Sequence, residues 1–432
     1  MFRPRGFADL TGRRVGLWGL GVEGRAALER VRDITKDIVL VDDAPLSPEV
    51  RATDDGGLDD LRRCDVVLKS PGIPRRRADV LLLEDDGVCV TSALNLWLAS
   101  TDRAHVIAVT GTKGKSTTTS LITFFLQSLG ESAESAGNIG RPPYAVDFPD
   151  VTWTVLEVSS YQAVDLEDSP GLVVVTSLGA DHLDWHGSLA QYRSDKLSLT
   201  RLSGAHVTLV ADDATVREEL TQIGGDLDIV PATDHDLTAA LHLVGAHNVA
   251  NVSLALAATA RATGRSLADL VAVVKEHAAA FTPLPGRLTV IARDGSLTYV
   301  DDGLATAPLP TIAALEHFAD ESVALLAGGF DRGVDYTPLA DALSARHRPT
   351  YVIVMDEAGD RIADAVRDTG VHVLRADTMD AAVRAAEVSL DFAGVVLLSP
   401  AAPSFGTYAN WRERSDDFAR AVGDRAVGPS RD

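Results

Sequence analysis

Basic residues, sulfur and aromatic rings are all in short supply in this chain. Its 40 Lys and Arg face 62 Asp and Glu, leaving a formal net charge of −22. Phosphate backbones select basic surfaces, so this balance excludes a general nucleic-acid binder. It leaves room for an anionic substrate held at a locally basic site. The two cysteines, Cys64 and Cys89, have neither metal-ligand spacing nor a partner pattern, and their apolar neighbours predict buried free thiols. No uncharged apolar run reaches the roughly 20 residues a membrane helix needs. The start, Met1-Phe-Arg-Pro-Arg-Gly-Phe7, lacks the apolar core of a signal peptide. The expectation is a cytoplasmic protein with no membrane and no nucleic-acid partner, acting as a monomer. There is no internal repeat and no long low-complexity tract, and Gly428-Pro-Ser-Arg-Asp432 reads as a frayed tail.

Apolar residues make up 46% of the 432, enough to fill two or three domain cores. The richest stretch is Val106 to Val109, a strand-like run that feeds directly into Gly111-Thr-Lys-Gly-Lys-Ser-Thr117. A helical pattern follows, with Leu121, Ile122, Phe125, Leu126 and Leu129 on one side and Gly130 as a stop. Strand, glycine loop, Lys-Ser and helix is the arrangement that holds a nucleotide triphosphate. Glycines let backbone N–H groups close on phosphates, and the helix N-terminus adds partial positive charge. Lys115 is placed for the β- and γ-phosphates and the Ser116 hydroxyl for Mg²⁺. The loop is not the common P-loop, because Val109 stands where that form has its first glycine. The bland alternative is a glycine-rich turn.

The coarse pattern is three α/β units. Residues 1–102 carry Gly19-x-Gly21-x-x-Gly24 after an apolar strand, and Ile38 to Asp43 is a second strand ending in Asp42 and Asp43. This is the dinucleotide-binding fingerprint, open to NAD, to another nucleotide diphosphate, or to a bare tight turn. Residues 103–285 hold the ATP loop, with Leu284-Pro-Gly286 as a linker. Residues 286–432 alternate strands and helices again. The fold class is α/β in three domains: a Rossmann-like N-terminal domain, a central P-loop ATPase-like domain and a C-terminal Rossmann-like domain.

Several side chains sit where open α/β sheets place ligands, just past strand ends. Glu157, closing an apolar strand, suits a Mg²⁺ contact, or is a surface carboxylate. His182 follows the strand Leu172 to Ser177. Lys196 lies on a predicted helix, where a solvated charge is the simplest reading. Asn248 is placed to cap the helix Val252 to Ala260. Asp302 ends another strand and suits a ribose.

Gly111-Thr-Lys-Gly-Lys-Ser-Thr117, Glu157-Val-Ser-Ser-Tyr-Gln162, Leu178-Gly-Ala-Asp-His182, Gln191 to Lys196 and Gly245-Ala-His-Asn-Val-Ala-Asn251 together resemble the Mur ligase family, over essentially the whole chain. Within that family the chain looks like the ligases that add glutamate to UDP-N-acetylmuramoyl-L-alanine. The resemblance implies ATP and Mg²⁺ as cofactors and an acyl-phosphate route in peptidoglycan precursor synthesis. It implies ATP contacts at Gly111, Thr112, Lys113, Gly114, Lys115, Ser116, Thr117, Asn248, Asn251, Arg287 and Asp302. Metal contacts fall on Ser116, Glu157, His182 and a carbamylated Lys196, with Lys115, His182 and Lys196 as the catalytic set. The UDP-linked substrate falls on Gly19, Gly21, Asp42, Asn138, Ser159 and Gln162, and the amino acid on Thr306, Arg332 and Ser404.

The chain departs from the D-glutamate ligases at the amino-acid end. Where they carry Asp-Ser-Lys-Ala-Thr-Asn, this chain has Asp302-Gly-Leu-Ala-Thr-Ala307. Arg332 stands for a lysine, Gly286 for a histidine, Trp411 for a phenylalanine and Lys113 for an asparagine. Arginine is not a neutral exchange, because its planar fork binds carboxylate at two points. These changes resemble a divergent subfamily that adds L-glutamate. A D-glutamate ligase, a non-catalytic nucleotide-binding relative and an NAD-dependent oxidoreductase stay open as alternatives.

Overall fold

The computed structural model describes residues 2–45, 47–179, 183–204, 206–243 and 245–423. His182 and the tail 428–432 lie outside them. The described residues form three separate sheets of 5, 6 and 6 strands. The strands read as uninterrupted apolar runs because a parallel sheet is covered on both faces.

The first sheet comprises β1 (Val15–Trp18), β2 (Ile38–Asp42), β3 (Arg51–Ala52), β4 (Val66–Lys69) and β5 (Cys89–Thr91), ordered β3-β2-β1-β4-β5 and all parallel. The second comprises β6 (Val106–Thr110), β7 (Ala133–Gly137), β8 (Trp153–Glu157), β9 (Leu172–Val175), β10 (Val207–Ala211) and β11 (Asp226–Val230). Its order is β11-β10-β9-β6-β8-β7, again all parallel. The chain departs to opposite sides of β1 and of β6. The Gly19 turn and the Gly111 loop therefore leave from switch points, where open sheets form a ligand crevice.

The third sheet comprises β12 (Thr289–Asp294), β13 (Ser296–Asp301), β14 (Val323–Gly328), β15 (Thr350–Met355), β16 (His372–Arg375) and β17 (Ala393–Leu398). Its order is β12-β13-β17-β14-β15-β16, with only β12 antiparallel. Alternate residues of β14 feed two cores: Val323, Leu325 and Ala327 face one, Ala324 and Leu326 the other.

The first two sheets lie in one compact unit, residues 1–240 and 246–281, and the third in another, residues 241–245 and 282–432. One apolar core runs through the first unit, from Val15 and Val66 to Val106, Leu156 and Val173. Polar links also join its two sheets. Lys69 Nζ donates to Asp165 Oδ2 at 2.5 Å with both side chains fully buried. Gln162 Nε2 donates to Glu23 Oε1 at 2.7 Å. Both cysteines are buried and free.

The helix carrying Asn248 runs Ala246–Thr263, so Asn248 lies inside its first turn and does not cap it. The hairpin strand β12 and the edge strands β7 and β11 carry no clear sequence signal, while β13 is the strand expected to end at Asp302 and closes at Asp301. Among the described residues no helix is long and apolar enough to cross a membrane.

Candidate active site

The Gly111 loop leaves β6 and enters the helix Lys115–Ser128 through Gly114, whose φ is +86°. A Cβ on Gly114 would lie 2.4 Å from Asn251 Oδ1, and one on Gly111 (φ +141°) would lie 2.0 Å from Thr176 Oγ1. Only glycine fits either place. The loop is pinned to the segment after β9: Thr112 N donates to Ser177 O at 2.8 Å, and Lys113 N to Ser177 Oγ at 2.9 Å. Thr112 Oγ1 pairs with Tyr192 OH at 2.9 Å and accepts from Gly179 N at 2.8 Å. Thr118 Oγ1 donates to Asn251 Oδ1 at 3.3 Å, and Asn251 Nδ2 to Asn248 Oδ1 at 3.1 Å. Asn248 and Asn251 thus brace the loop from the helix Ala246–Thr263.

Two lysines converge on this loop. Lys115 Nζ curls back to Gly111 O at 3.0 Å and Thr112 O at 3.2 Å. Lys196, only 2% exposed, donates from Nζ to the same Gly111 O at 2.9 Å and lies 5.0 Å from the Tyr192 ring centre. Lys196 is therefore not the solvated helix charge that composition favours. Ser116 and Thr117 occupy the first turn of the helix.

Glu157 ends β8 in register with Val109 on one side and Gly137 on the other. It is 1% exposed. Asn138 Nδ2 donates to its Oε1 at 2.8 Å, while Oε2 is buried with no hydrogen-bond partner among the described residues. A buried carboxylate oxygen left unpaired beside a phosphate-type loop fits a Mg²⁺ ligand, a hard oxygen donor for a hard cation. Among the described residues no three His, Cys, Asp or Glu gather as a metal cluster. The expected set has Glu157 as its one native carboxylate, and His182 lies outside the described residues.

The substrate-side residues divide. Gly19 (φ +88°) turns against Ser70, where a Cβ would lie 2.7 Å from Ser70 Oγ, and Gly21 caps the helix Val22–Arg32. Asp42 Oδ2 accepts from Leu20 N at 2.6 Å and Oδ1 from Ala44 N at 3.0 Å, so this carboxylate holds the turn itself. Ser159 and Gln162 form a reciprocal capping box on the short helix Ser160–Ala163. Gln162 passes that contact on to Glu23, which also accepts from Tyr144 OH at 3.2 Å.

A buried relay beside Lys196 has no place in the sequence expectations. Ser160 Oγ meets His186 Nε2 at 2.9 Å, and His186 Nδ1 meets Asp195 Oδ2 at 2.8 Å. Arg76, from the first sheet's side, grips Asp195 at 2.9 and 2.7 Å. Burial works to raise the Asp195 carboxyl, but hydrogen bonds from Arg76, His186 and Gln191 hold it below the usual range. Its one sequence signal is position, directly before Lys196.

Arg287, Asp302, Thr306, Arg332 and Ser404 belong to the second unit. Asp302 Oδ2 accepts from Ser399 Oγ at 2.7 Å and Oδ1 from Leu288 N at 3.3 Å, and burial pushes its pKa up to about 7. Gly286 has φ +72°, and a Cβ there would lie 2.7 Å from Trp411 Cζ3. The exchanges at 286 and 411 are thus one steric fit. Thr306 and Arg332 are exposed and Ser404 is buried. The Arg332 guanidinium lies 5.7 Å from the Phe405 ring centre. Arg414 is a buried cation that sequence reading missed. Its signal is an apolar helical face, Trp411, Phe418, Ala421 and Val422, on which it takes a core position.

A protein of Micromonospora named UDP-N-acetylmuramoyl-L-alanine–L-glutamate ligase is 38% identical over 98% of this chain and 99% of its own length. The chain belongs to the Mur ligase family. The description Mur ligase middle domain matches residues 109–226. Relatives of the same name from Salinispora tropica (38% identical, 97% of this chain, 99% of theirs) and Xanthomonas euvesicatoria (36%, 96% of each) agree. Among solved Mur ligases, a MurF ligase of Thermotoga maritima in complex with ADP aligns with a TM-score of 0.57 at 14% identity, over 98% of this chain and 97% of that one. The UDP-N-acetylmuramate–alanine ligase of the same organism gives 0.56 at 18%, over 95% and 99%. Both carry the three-domain fold.

Proposed function

We propose that this Mur ligase joins the amine of L-glutamate to the L-alanine carboxylate of UDP-N-acetylmuramoyl-L-alanine while ATP becomes ADP and phosphate. The observation that carries this reading is the near full-length 38% identity to a relative of that name. A carboxylate does not react with an amine directly, because its oxygen leaves poorly. Transfer of the γ-phosphoryl group to the carboxylate supplies a leaving group, and the amine then displaces phosphate.

The Gly111 loop, Lys115 and the first turn of Lys115–Ser128 would cradle the triphosphate, where positioning and charge neutralisation do most of the work. Mg²⁺ held by Ser116, Glu157 and His182 would neutralise charge on the transferring group. Lys196 would serve as a carbamate, a form in which its nitrogen keeps one hydrogen for Gly111 O and gains hard oxygen atoms. Asn248, Asn251, Arg287 and Asp302 complete the nucleotide site. Gly19, Gly21 and the start of Val22–Arg32 suit the diphosphate of the UDP-linked substrate, with Asp42, Asn138, Ser159 and Gln162 around it.

Thr306, Arg332 and Ser404 offer a hydroxyl, a guanidinium and a second hydroxyl to a dicarboxylic amino acid. Leu304 in place of lysine and Arg332 in place of lysine support L-glutamate. The test is phosphate release with ATP, Mg²⁺ and UDP-N-acetylmuramoyl-L-alanine, run with L- and D-glutamate in parallel. Turnover with L-glutamate alone is the expected result. Turnover with D-glutamate alone would reverse the stereochemical assignment.

A further inference from the structure

We infer that Arg414 is the positioning residue of the glutamate pocket, its single guanidinium fixing the spacing of the three loops that carry Thr306, Arg332 and Ser404. The inference rests on the glutamate reading above. Arg414 lies in the helix Trp411–Gly423 and is 2% exposed. Its Nη2 donates to Gly303 O at 3.0 Å, and its Nη1 to Ala402 O at 3.1 Å and Gly328 O at 3.3 Å. Gly303 follows β13, Ala402 follows β17, and Gly328 closes β14. These three strands are neighbours in the sheet, at its switch point. Each carbonyl is within four residues of one proposed glutamate contact: Gly303 of Thr306, Gly328 of Arg332, Ala402 of Ser404.

The surroundings are shaped to admit this staple. A Cβ on Gly329 would lie 2.1 Å from Pro403 O and 3.1 Å from Arg414 Nη1. A Cβ on Gly303 would lie 2.3 Å from the hydroxyl of Ser415, the residue after Arg414. Ser415 Oγ donates to Asp301 Oδ1 at 3.0 Å, and Gly303 N donates to the same oxygen at 2.9 Å. A side chain at position 303 would thus push the Ser415 hydroxyl off Asp301. The lost serine of the Asp-Ser-Lys pattern is the counterpart of this contact.

A core filler would not need a charge. Burial lowers the Arg414 pKa to about 10, so the cation is retained against its surroundings. Its two Nη atoms reach three carbonyls from one planar group, a spread that the single nitrogen of a lysine does not match.

The test compares KM for L-glutamate with KM for ATP and for UDP-N-acetylmuramoyl-L-alanine. Arg414→Lys should raise the glutamate KM by about tenfold or more and leave the other two within about twofold, with an unchanged circular dichroism spectrum. Gly303→Ser should act in the same direction, and adding Ser415→Gly should return the glutamate KM to near wild type. This pair decides the matter if Arg414→Lys does not fold. A folded Arg414→Lys with unchanged glutamate KM, equal rises in all three KM values, or no rescue in the double variant would overturn the inference while leaving the ligase reading intact. Wild-type enzyme with no glutamate-dependent phosphate release would overturn both.

Discussion

Lys115 and Lys196 donate to one oxygen, the carbonyl of Gly111, at 3.0 and 2.9 Å. This convergence gathers positive charge at the mouth of the loop, where like charges at short range repel. In the proposed mechanism Lys115 would meet the triphosphate there and Lys196 would carry a carbamate.

The proposed carbamate on Lys196 makes activity depend on dissolved CO₂. Assays in CO₂-stripped buffer should lose most turnover and recover on adding bicarbonate, with a ¹³C-carbamate signal on the wild type that Lys196→Ala lacks. Full activity without CO₂ would assign Lys196 as an ammonium. Lys115→Met should lower kcat by about 10²–10³-fold, as expected for removing the charge that the proposed mechanism directs at the transferring group.

Gly114→Ala should fail at the nucleotide step. The new methyl would meet Asn251 Oδ1, and φ of +86° adds about 1–2 kcal/mol of strain. The expected result is a raised KM for ATP and a lowered melting temperature. Asn251→Ala in the same background should recover part of the melting temperature if the clash is the cause, without restoring the affinity, because Asn251 belongs to the proposed nucleotide site.

Breaking the buried pair between the first two sheets should be harsher than removing it. Asp165→Asn leaves Lys69 buried without its partner and should cost about 3–5 kcal/mol in urea unfolding of the first unit. Lys69→Met with Asp165→Leu should regain most of that loss. Equal destabilisation by single and double variants would show that apolar groups do not fill the space.

Asp302 gives a pH signature. Its carboxyl rises to about 7 in the folded chain, above 3.8 for the free group. The folded state then binds the extra proton, so its stability falls as pH rises from about 4 to about 7 and is flat above. Asp302→Asn should flatten that slope. A wild-type curve rising through the same window after subtraction of the variant would refute the assignment.

The strands β1, β4, β6, β9, β14 and β17 are legible because a parallel strand covered on both faces must be apolar throughout. The hairpin strand β12 is half-buried along most of its length and carries a mixed pattern, and β11 has Asp226 and Asp228 on an exposed edge. The nucleotide loop is legible because its parts are contiguous. Arg76 and Asp195 are 119 residues apart, and Arg414 and Gly303 are 111 apart, so no local pattern announces either contact. Tyr192 is the exception. It sits one turn before Lys196 on the same helix face, which the spacing alone could have flagged.

The continuous core of the first unit sets a rule for how the chain can be recombined. Residues 1–102 read as a cassette, yet Val15, Val66, Val106 and Val173 share one apolar cluster, and Lys69 and Glu23 bond across to Asp165 and Gln162. A graft of that segment from a relative would cut through shared packing and orphan the buried partners. A junction at residue 102 falls inside one compact unit, whereas a junction at residue 281 falls at that unit's end and would have to carry residues 241–245 along with 282–432.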